Sequence, residues 1–324
     1  MADRGVVLHL PESWLAPNSM DMLPFYRKLQ AGFDEIGVPW RAEAIDRENA
    51  LARVERDDWF HIFNHSRIQH ERVLNAGVAY VYPYWNMDPL GIRAFSSIAD
   101  TKFVSGKVDE DKARKFFGRL RRRWMDKRSS RYPQPEESVT IPDDSVAVFF
   151  QSEDDRNVEE TFYMDRWTML ETVLKSWDGS VVVKPHPKDR DPMLGERLEA
   201  MQKVYSDLHV VTGNIHDILA QCQRVVTINS AVGIEAYMHR KPVILCGQAD
   251  FHHLADVART PEKLQVLLEQ EPRGRVYAKY LYWYFGLQCL DASRRDKVIA
   301  RQVVRRMAAQ GYDIKASAKK LAAE

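Results

Sequence analysis

Apolar runs rich in β-branched and aromatic residues alternate along most of this chain with stretches of helical period, the pattern of an α/β protein. Short apolar runs predict strands at residues 5–10 (GVVLHL), 40–44 (WRAEA), 59–63 (WFHIF) and 79–82 (AYVY). Helical spacing predicts helices over 20–36 and 67–76. A second series starts with Val146, Ala147, Val148, Phe149 and Phe150. It continues through a helical pattern at 158–177, VVVK at 181–184 and VVTI at 225–228. Runs that are apolar throughout suit strands covered on both faces of a parallel sheet. Residues 276–307 read mostly as helix, and YLYWYFGLQCL at 280–290 reads as a buried one. Between the two series lie a basic helical segment, 109–128, and RYPQPEESVTIPDDS at 131–145, whose three prolines and missing apolar period mark a linker. These patterns predict two Rossmann-like α/β domains, 1–140 and 141–324, the second ending in helices.

Composition agrees with that division. A chain of 324 residues, 45% of them hydrophobic, is long enough for two cores. A net charge of +1 supplies no overall attraction to nucleic acid, which is not expected as a partner. The cysteines Cys222, Cys246 and Cys289 are dispersed and odd in number, so a reducing, cytoplasmic setting is expected in place of a disulfide framework. The start, MADRGVVLHL, has acid and base before a short apolar run and reads as a first strand and not a signal peptide. No window reaches membrane-spanning length.

Three strand ends carry the candidate chemistry. In VVTINSAVGIEA, the strand runs into Asn229 and Ser230, both good helix caps, and Gly233 allows close backbone approach. Free N–H groups at the start of the following helix suit a phosphate, and Glu235 one turn in suits a ribose diol. An ordinary capped helix has the same pattern. In VVVKPHP, Pro185 and Pro187 hold the chain extended, so that Lys184 and His186 project together, a point charge and a proton donor for a phosphate. The run ending at Phe150 leads into Gln151, Ser152, Glu153, Asp154 and Asp155, where crowded carboxylates point either to chemistry or to a helix start.

The ordered set FFQSEDD, VVVKPHP and VVTINSAVGIEAYMHRKPVILCGQADF resembles the capsule polysaccharide synthesis and export family, whose members include bacterial transferases of 3-deoxy-D-manno-oct-2-ulosonic acid (Kdo). The resemblance covers residues 146–251. It implies a GT-B fold, a CMP-linked sugar donor bound in the C-terminal domain, and no metal or other cofactor. The family's Q-x-x-x-D falls on Gln151 and Asp155, its K-x-H-P on Lys184, His186 and Pro187, and its N-S-x-x-G-x-E on Asn229, Ser230, Gly233 and Glu235. Asp155 takes the place of the nucleophile of a retaining displacement, with Glu153 and Asp154 as rival carboxylates and His186 on the departing CMP. Asn157 replaces a frequent Ser, and Gly247, Gln248 and Ala249 replace a Gly-Arg-Pro-like segment, which bears on the sugar.

Two further regions suggest an acceptor and a surface. His65, Trp85, Asn86, Asp88 and Arg93 combine rings with hydrogen-bonding groups, as a glycan face requires, although an aromatic loop serves equally for packing. Residues Arg119–Arg128 form a basic face with Phe116, Phe117, Leu120 and Trp124 at helical spacing, suited to an anionic membrane or to a solvated helix packed through its rings. The expected function is transfer of Kdo or a related ulosonic acid from a CMP-sugar to a surface-polysaccharide or lipid-linked acceptor, in the cytoplasm or at the inner face of its membrane. A transferase using another nucleotide sugar and a non-catalytic glycan-binding or export subunit are the alternatives.

Overall fold

The computed structural model describes residues 4–16, 19–151 and 161–314. In chain order the strands are β1 (Val6–Leu10), β2 (Trp40–Ala44), β3 (Phe60–Asn64), β4 (Val73–Val78), β5 (Tyr84–Asp88), β6 (Val146–Phe149), β7 (Val181–Lys184), β8 (Leu208–Val210), β9 (Arg224–Thr227), β10 (Val243–Leu245), β11 (Asp256–Val257) and β12 (Leu290–Asp291). The helices are α1 (Pro24–Ile36), α2 (Ala50–Val54), α3 (Glu110–Trp124), α4 (Arg166–Ser176), α5 (Leu194–Val204), α6 (Ile215–Gln221), α7 (Val232–Met238), α8 (Pro261–Glu269), α9 (Tyr277–Leu281) and α10 (Asp296–Ala309). A π-helical turn, Tyr282–Gln288, follows α9.

Residues 1–98 and 285–324 form one compact unit, and residues 99–284 the other. The division expected at residue 140 is therefore corrected at both ends. Residues 99–140 belong to the second unit, and the chain returns to the first for its last elements.

The first unit is a sheet ordered β12-β5-β4-β3-β1-β2, parallel from β4 to β2, with β5 and β12 antiparallel at the other edge. Pro24 opens α1 and Gly37, at φ 70°, ends it in the left-handed region. The helix buries Phe25, Tyr26, Leu29 and Phe33 against Leu8, Ile62 and Trp85 of the sheet, beside Ile299, Val303 and Met307 of α10. Gly32 is the contact point of the two helices, since a Cβ there would stand 2.3 Å from the Asp296 carbonyl oxygen. Two expectations fail in this unit. Residues 67–76 are not a helix; Val73–Val78 is a central strand, apolar on both faces, in which the buried Asn75 side chain bonds to Ile68 and to the Asp88 carbonyl. Residues 79–82 are a turn, and the strand beside it is Tyr84–Asp88, within the stretch read as an aromatic loop.

The second unit is an all-parallel sheet ordered β11-β10-β9-β6-β7-β8. Counted from β6 this is the doubly wound order 3-2-1-4-5-6 read from the other edge, so the winding reverses between β6 and β9. Val146, Val148, Val183, Val226 and Ile244 fill one side of the sheet with Met169, Leu170 and Leu264 from the helices. The structure thus has the expected α/β class, with two Rossmann-like units and a helical C-terminal segment.

Candidate functional site

The three sequence motifs lie on three adjacent strands. Phe149 of β6 is in register with Lys184 of β7 on one side and Thr227 of β9 on the other, so the three carboxyl ends stand in one row. In open parallel sheets, ligands bind beyond these ends where the winding reverses. At that point the Asn229 N–H donates to Gln151 Oε1 at 3.2 Å, and the Asn229 side-chain amide donates to the Gln248 carbonyl at 3.1 Å. Two polar atoms of this pair, Gln151 Nε2 and Asn229 Oδ1, are buried and have no hydrogen-bond partner among the described residues. Leaving such a group unsatisfied costs about 1–3 kcal/mol, and these two atoms lie where the winding of the sheet reverses. Asp155, Glu153 and Asp154 lie outside the described residues.

The Lys184 ammonium is buried and turned sideways. It donates to the carbonyls of Thr212 and Gly213 at 2.9 and 2.7 Å, and burial holds its pKa below the ordinary value. It anchors the loop after β8, which corrects the expectation that its charge is simply presented to a phosphate. The His186 Nδ1 accepts from the Lys188 backbone N–H at 3.2 Å, which puts the proton of the neutral ring on Nε2. Farther along the same loop, Asp189 and Asp191 each take one nitrogen of the buried Arg166 guanidinium at 2.5 Å. Arg166, at the start of α4, thereby clamps the KPHP loop from behind.

The turn after β9 departs from its expected chemistry in two respects. Ser230 Oγ accepts from the Val232 N–H at 3.3 Å and the Ser230 carbonyl accepts from Gly233, so these N–H groups are taken up by the turn itself. Gly233 is required by packing: a Cβ there would meet the Phe251 ring at 2.9 Å. Glu235 is wholly buried, and burial pushes its carboxyl up to about 7 against the pull of Ser130 and Arg131. Ser130 Oγ donates to Glu235 Oε1 at 2.7 Å.

That serine belongs to the stretch read as a linker. Residues 128–141 in fact run as a strap fixed to the second unit. Asn214 donates to the Arg128 and Pro135 carbonyls, Gln134 Oε1 accepts from the Ile215 N–H, and Asp217 pairs with Arg128 and takes the Val139 N–H. The Ser129 carbonyl accepts from His216 Nε2, which leaves His216 Nδ1 to accept from His239 Nε2 at 2.9 Å. Burial, foremost, lowers the pKa of both rings, that of His239 to about 3. Tyr132 meets the His186 ring edge to face at 5.1 Å. The strap thus connects the KPHP loop with Glu235.

Residues 137–281 match the family described as capsule polysaccharide biosynthesis protein. That segment is similar to this family over 145 of the 324 residues. The whole chain is similar to the β-Kdo 2,7 transferase of Thermosulfurimonas dismutans KpsC, at 16% identity and a TM-score of 0.55, over 94% of this chain and 99% of that one. It also matches the β-Kdo 2,4 transferase of the same organism's KpsC, at 14% identity and a TM-score of 0.49, over 86% and 90%. No curated protein matches. The first likeness shows the fold, two Rossmann-like α/β units of GT-B kind.

The capsule-synthesis domain as matched begins within the strap, at residue 137, and takes in all three motif strands. Sequence reasoning missed Ser130, Tyr132, Gln134 and Arg166. The prolines flanking Tyr132 and Gln134 were the available signal, since they stiffen a segment as readily as they interrupt one. Outside this domain, the proposed acceptor residues prove largely structural. Trp85 is fully buried and stacks on Phe25 at 4.1 Å, so its ring offers no face to a sugar. Asn86, also buried, accepts from the Arg93 N–H. The Asp88 carboxylate holds the next turn together through the N–H groups of Leu90 and Ser97 and the Ser97 hydroxyl. His65, at φ 49°, follows the end of β3, where Arg47 donates to its carbonyl. That end is next to β1, the point at which the winding of the first sheet reverses.

Among the described residues, no helix is long and apolar enough to cross a membrane. In α3 the rings of Phe116, Phe117 and Trp124 are buried, while Arg119, Arg122, Arg123 and Lys127 are exposed. His252 and His253, in a 3-10 turn, stack at 4.4 Å. All three cysteines are buried and no disulfide joins them.

Proposed function

We propose that this protein is a glycosyltransferase of surface-polysaccharide synthesis that takes Kdo or a related ulosonic acid from a CMP-linked donor. The observation that carries the reading is the orphaned pair Gln151 Nε2 and Asn229 Oδ1 at the reversal between β6 and β9. It is supported by the family of residues 137–281 and by the fold shared with a β-Kdo transferase.

In this reading the nucleotide lies across the carboxyl ends of β6, β7 and β9. Gln151 donates to the donor, Asn229 accepts from it, and the Ser230 hydroxyl and His186 Nε2–H face its phosphate. Asp155, four residues beyond Gln151 in sequence, attacks the anomeric carbon as the bond to the CMP oxygen breaks, and CMP leaves with the bonding electrons. His186 stabilises the charge that develops on the departing phosphate. An acceptor hydroxyl then displaces the Asp155 carboxylate and loses its proton to a base, with net retention of configuration. The acceptor is a glycan or glycolipid. The exposed cations of the Arg119–Arg128 stretch hold the enzyme to an anionic membrane surface.

A thermal-shift panel of nucleotides tests the donor class. Ligand at 100 times its Kd stabilises the native state by about 2.7 kcal/mol, so CMP is expected to raise Tm while UMP and UDP leave it unchanged. Asp155→Ala is expected to keep the fold and the CMP shift and to lose turnover. A shift with UDP alone would overturn the donor assignment, and full turnover in Asp155→Ala would overturn the nucleophile.

A further inference from the structure

Tyr132 stands in an unusual setting for a residue of an irregular, proline-flanked segment. Its ring meets His186 edge to face at 5.1 Å and 89°. Lys188 Nζ lies 5.2 Å from the ring centroid and the Arg131 guanidinium 5.6 Å from it. The backbone that carries the ring is held as well. Gln134 Nε2 donates to the Tyr132 carbonyl at 3.1 Å while its Oε1 accepts from the Ile215 N–H at 3.1 Å, so the strap is registered on the start of α6. The Lys188 N–H bonds to Nδ1 of the same imidazole at 3.2 Å. Two contacts from different segments therefore act on one ring: a hydrogen bond chooses its tautomer, and an aromatic neighbour sets its plane. A packing role alone calls for neither the register of Gln134 nor cations against the ring.

We infer that Tyr132 is a positioning residue that holds His186 with Nε2–H directed at the phosphate of the bound nucleotide. The inference rests on the proposed nucleotide site and adds a residue outside the three motifs. Arg131 and Lys188, drawn to the tyrosine face, keep positive charge near that phosphate. The contact is made by the ring, so the tyrosine hydroxyl is dispensable.

The test is a double-mutant cycle on CMP affinity, measured by calorimetry, together with the imidazole resonances of His186 assigned by their loss in His186→Gln. Tyr132→Phe is expected to keep the His186 shifts and a Kd within twofold of the parent. Tyr132→Leu is expected to move the His186 resonances as the ring current is lost, and to weaken CMP about tenfold. In the His186→Gln background the same change is expected to weaken CMP less than twofold. Equal weakening in both backgrounds would mean a general packing role and would overturn the inference, as would a tenfold loss in Tyr132→Phe. Unmoved His186 resonances in Tyr132→Leu would overturn it whether or not CMP binds. Absence of CMP binding by the parent protein is a separate result that removes the donor assignment.

Discussion

Glu235 shows how a residue placed for one purpose alters stability with pH. Its carboxyl, ordinarily near 4.5, is raised to about 7 by complete burial. Between those values the unfolded chain releases a proton that the folded chain retains. The stability associated with the protonated carboxyl is thus fully present below 4.5 and lost as pH rises through 7. Glu235→Gln keeps an acceptor for Ser130 and removes the titration. It is expected to be more stable than the parent by about 3 kcal/mol at pH 8, with the advantage shrinking toward pH 4.5. Urea unfolding at the two pH values checks this, and a difference independent of pH would refute it. At this scale the sequence was informative about identity and poor about orientation. Lys184, His186, Asn229 and Glu235 are recognisable at strand ends because polar residues there interrupt apolar runs. That Lys184 turns to the Thr212 and Gly213 carbonyls, and that Trp85 is sealed beneath Phe25, depends on neighbours far away in the chain.

Elements were legible in proportion to how fully their pattern reflects burial on one or two faces. In the second sheet β6, β7 and β9, with their nearly unbroken apolar runs, were located from sequence while β8, β10 and β11 were not, and α3 was located through Phe116, Phe117, Leu120 and Trp124, which form a single buried stripe. The stretch around β4 failed because a strand covered on both faces has no alternation, and its apolar positions also fit a helical period. The strap failed because side-chain hydrogen bonds to backbone hold it, and these leave no periodic trace. The KPHP loop depends likewise on Arg166, whose partner Asp189 is equally buried. Removing one member of a buried ion pair leaves the other charge uncompensated, typically at a cost of about 3–5 kcal/mol. Arg166→Met is therefore expected to lower urea stability by that amount and to weaken CMP binding as the loop loosens. A loss below about 1 kcal/mol would show that the clamp is not needed.

The whole molecule departs most from the sequence reading in its division into units. A chain cut at residue 140 would separate α1 from α10, although Ile299, Ala300, Val303 and Met307 complete the core in which Phe25, Leu29 and Phe33 lie. A fragment of residues 1–140 is expected to lack a cooperative thermal transition. A fragment of residues 99–284 holds the complete second sheet, the strap and all three motifs, and is expected to fold and to bind CMP with near-parent affinity. Circular dichroism melts and calorimetry on the two fragments decide the matter: a cooperative 1–140 fragment would contradict the division. Sequence alone determined the α/β class, the parallel second sheet and the strand ends that carry the three motifs, because burial on a regular element imposes a local repeat. Only the tertiary structure decided that the C-terminal helix completes the first unit, that the apparent linker is a strap, and that Gln151 and Asn229 keep polar atoms without partners among the described residues. Those outcomes depend on which distant segments meet, and no period along the chain records such meetings.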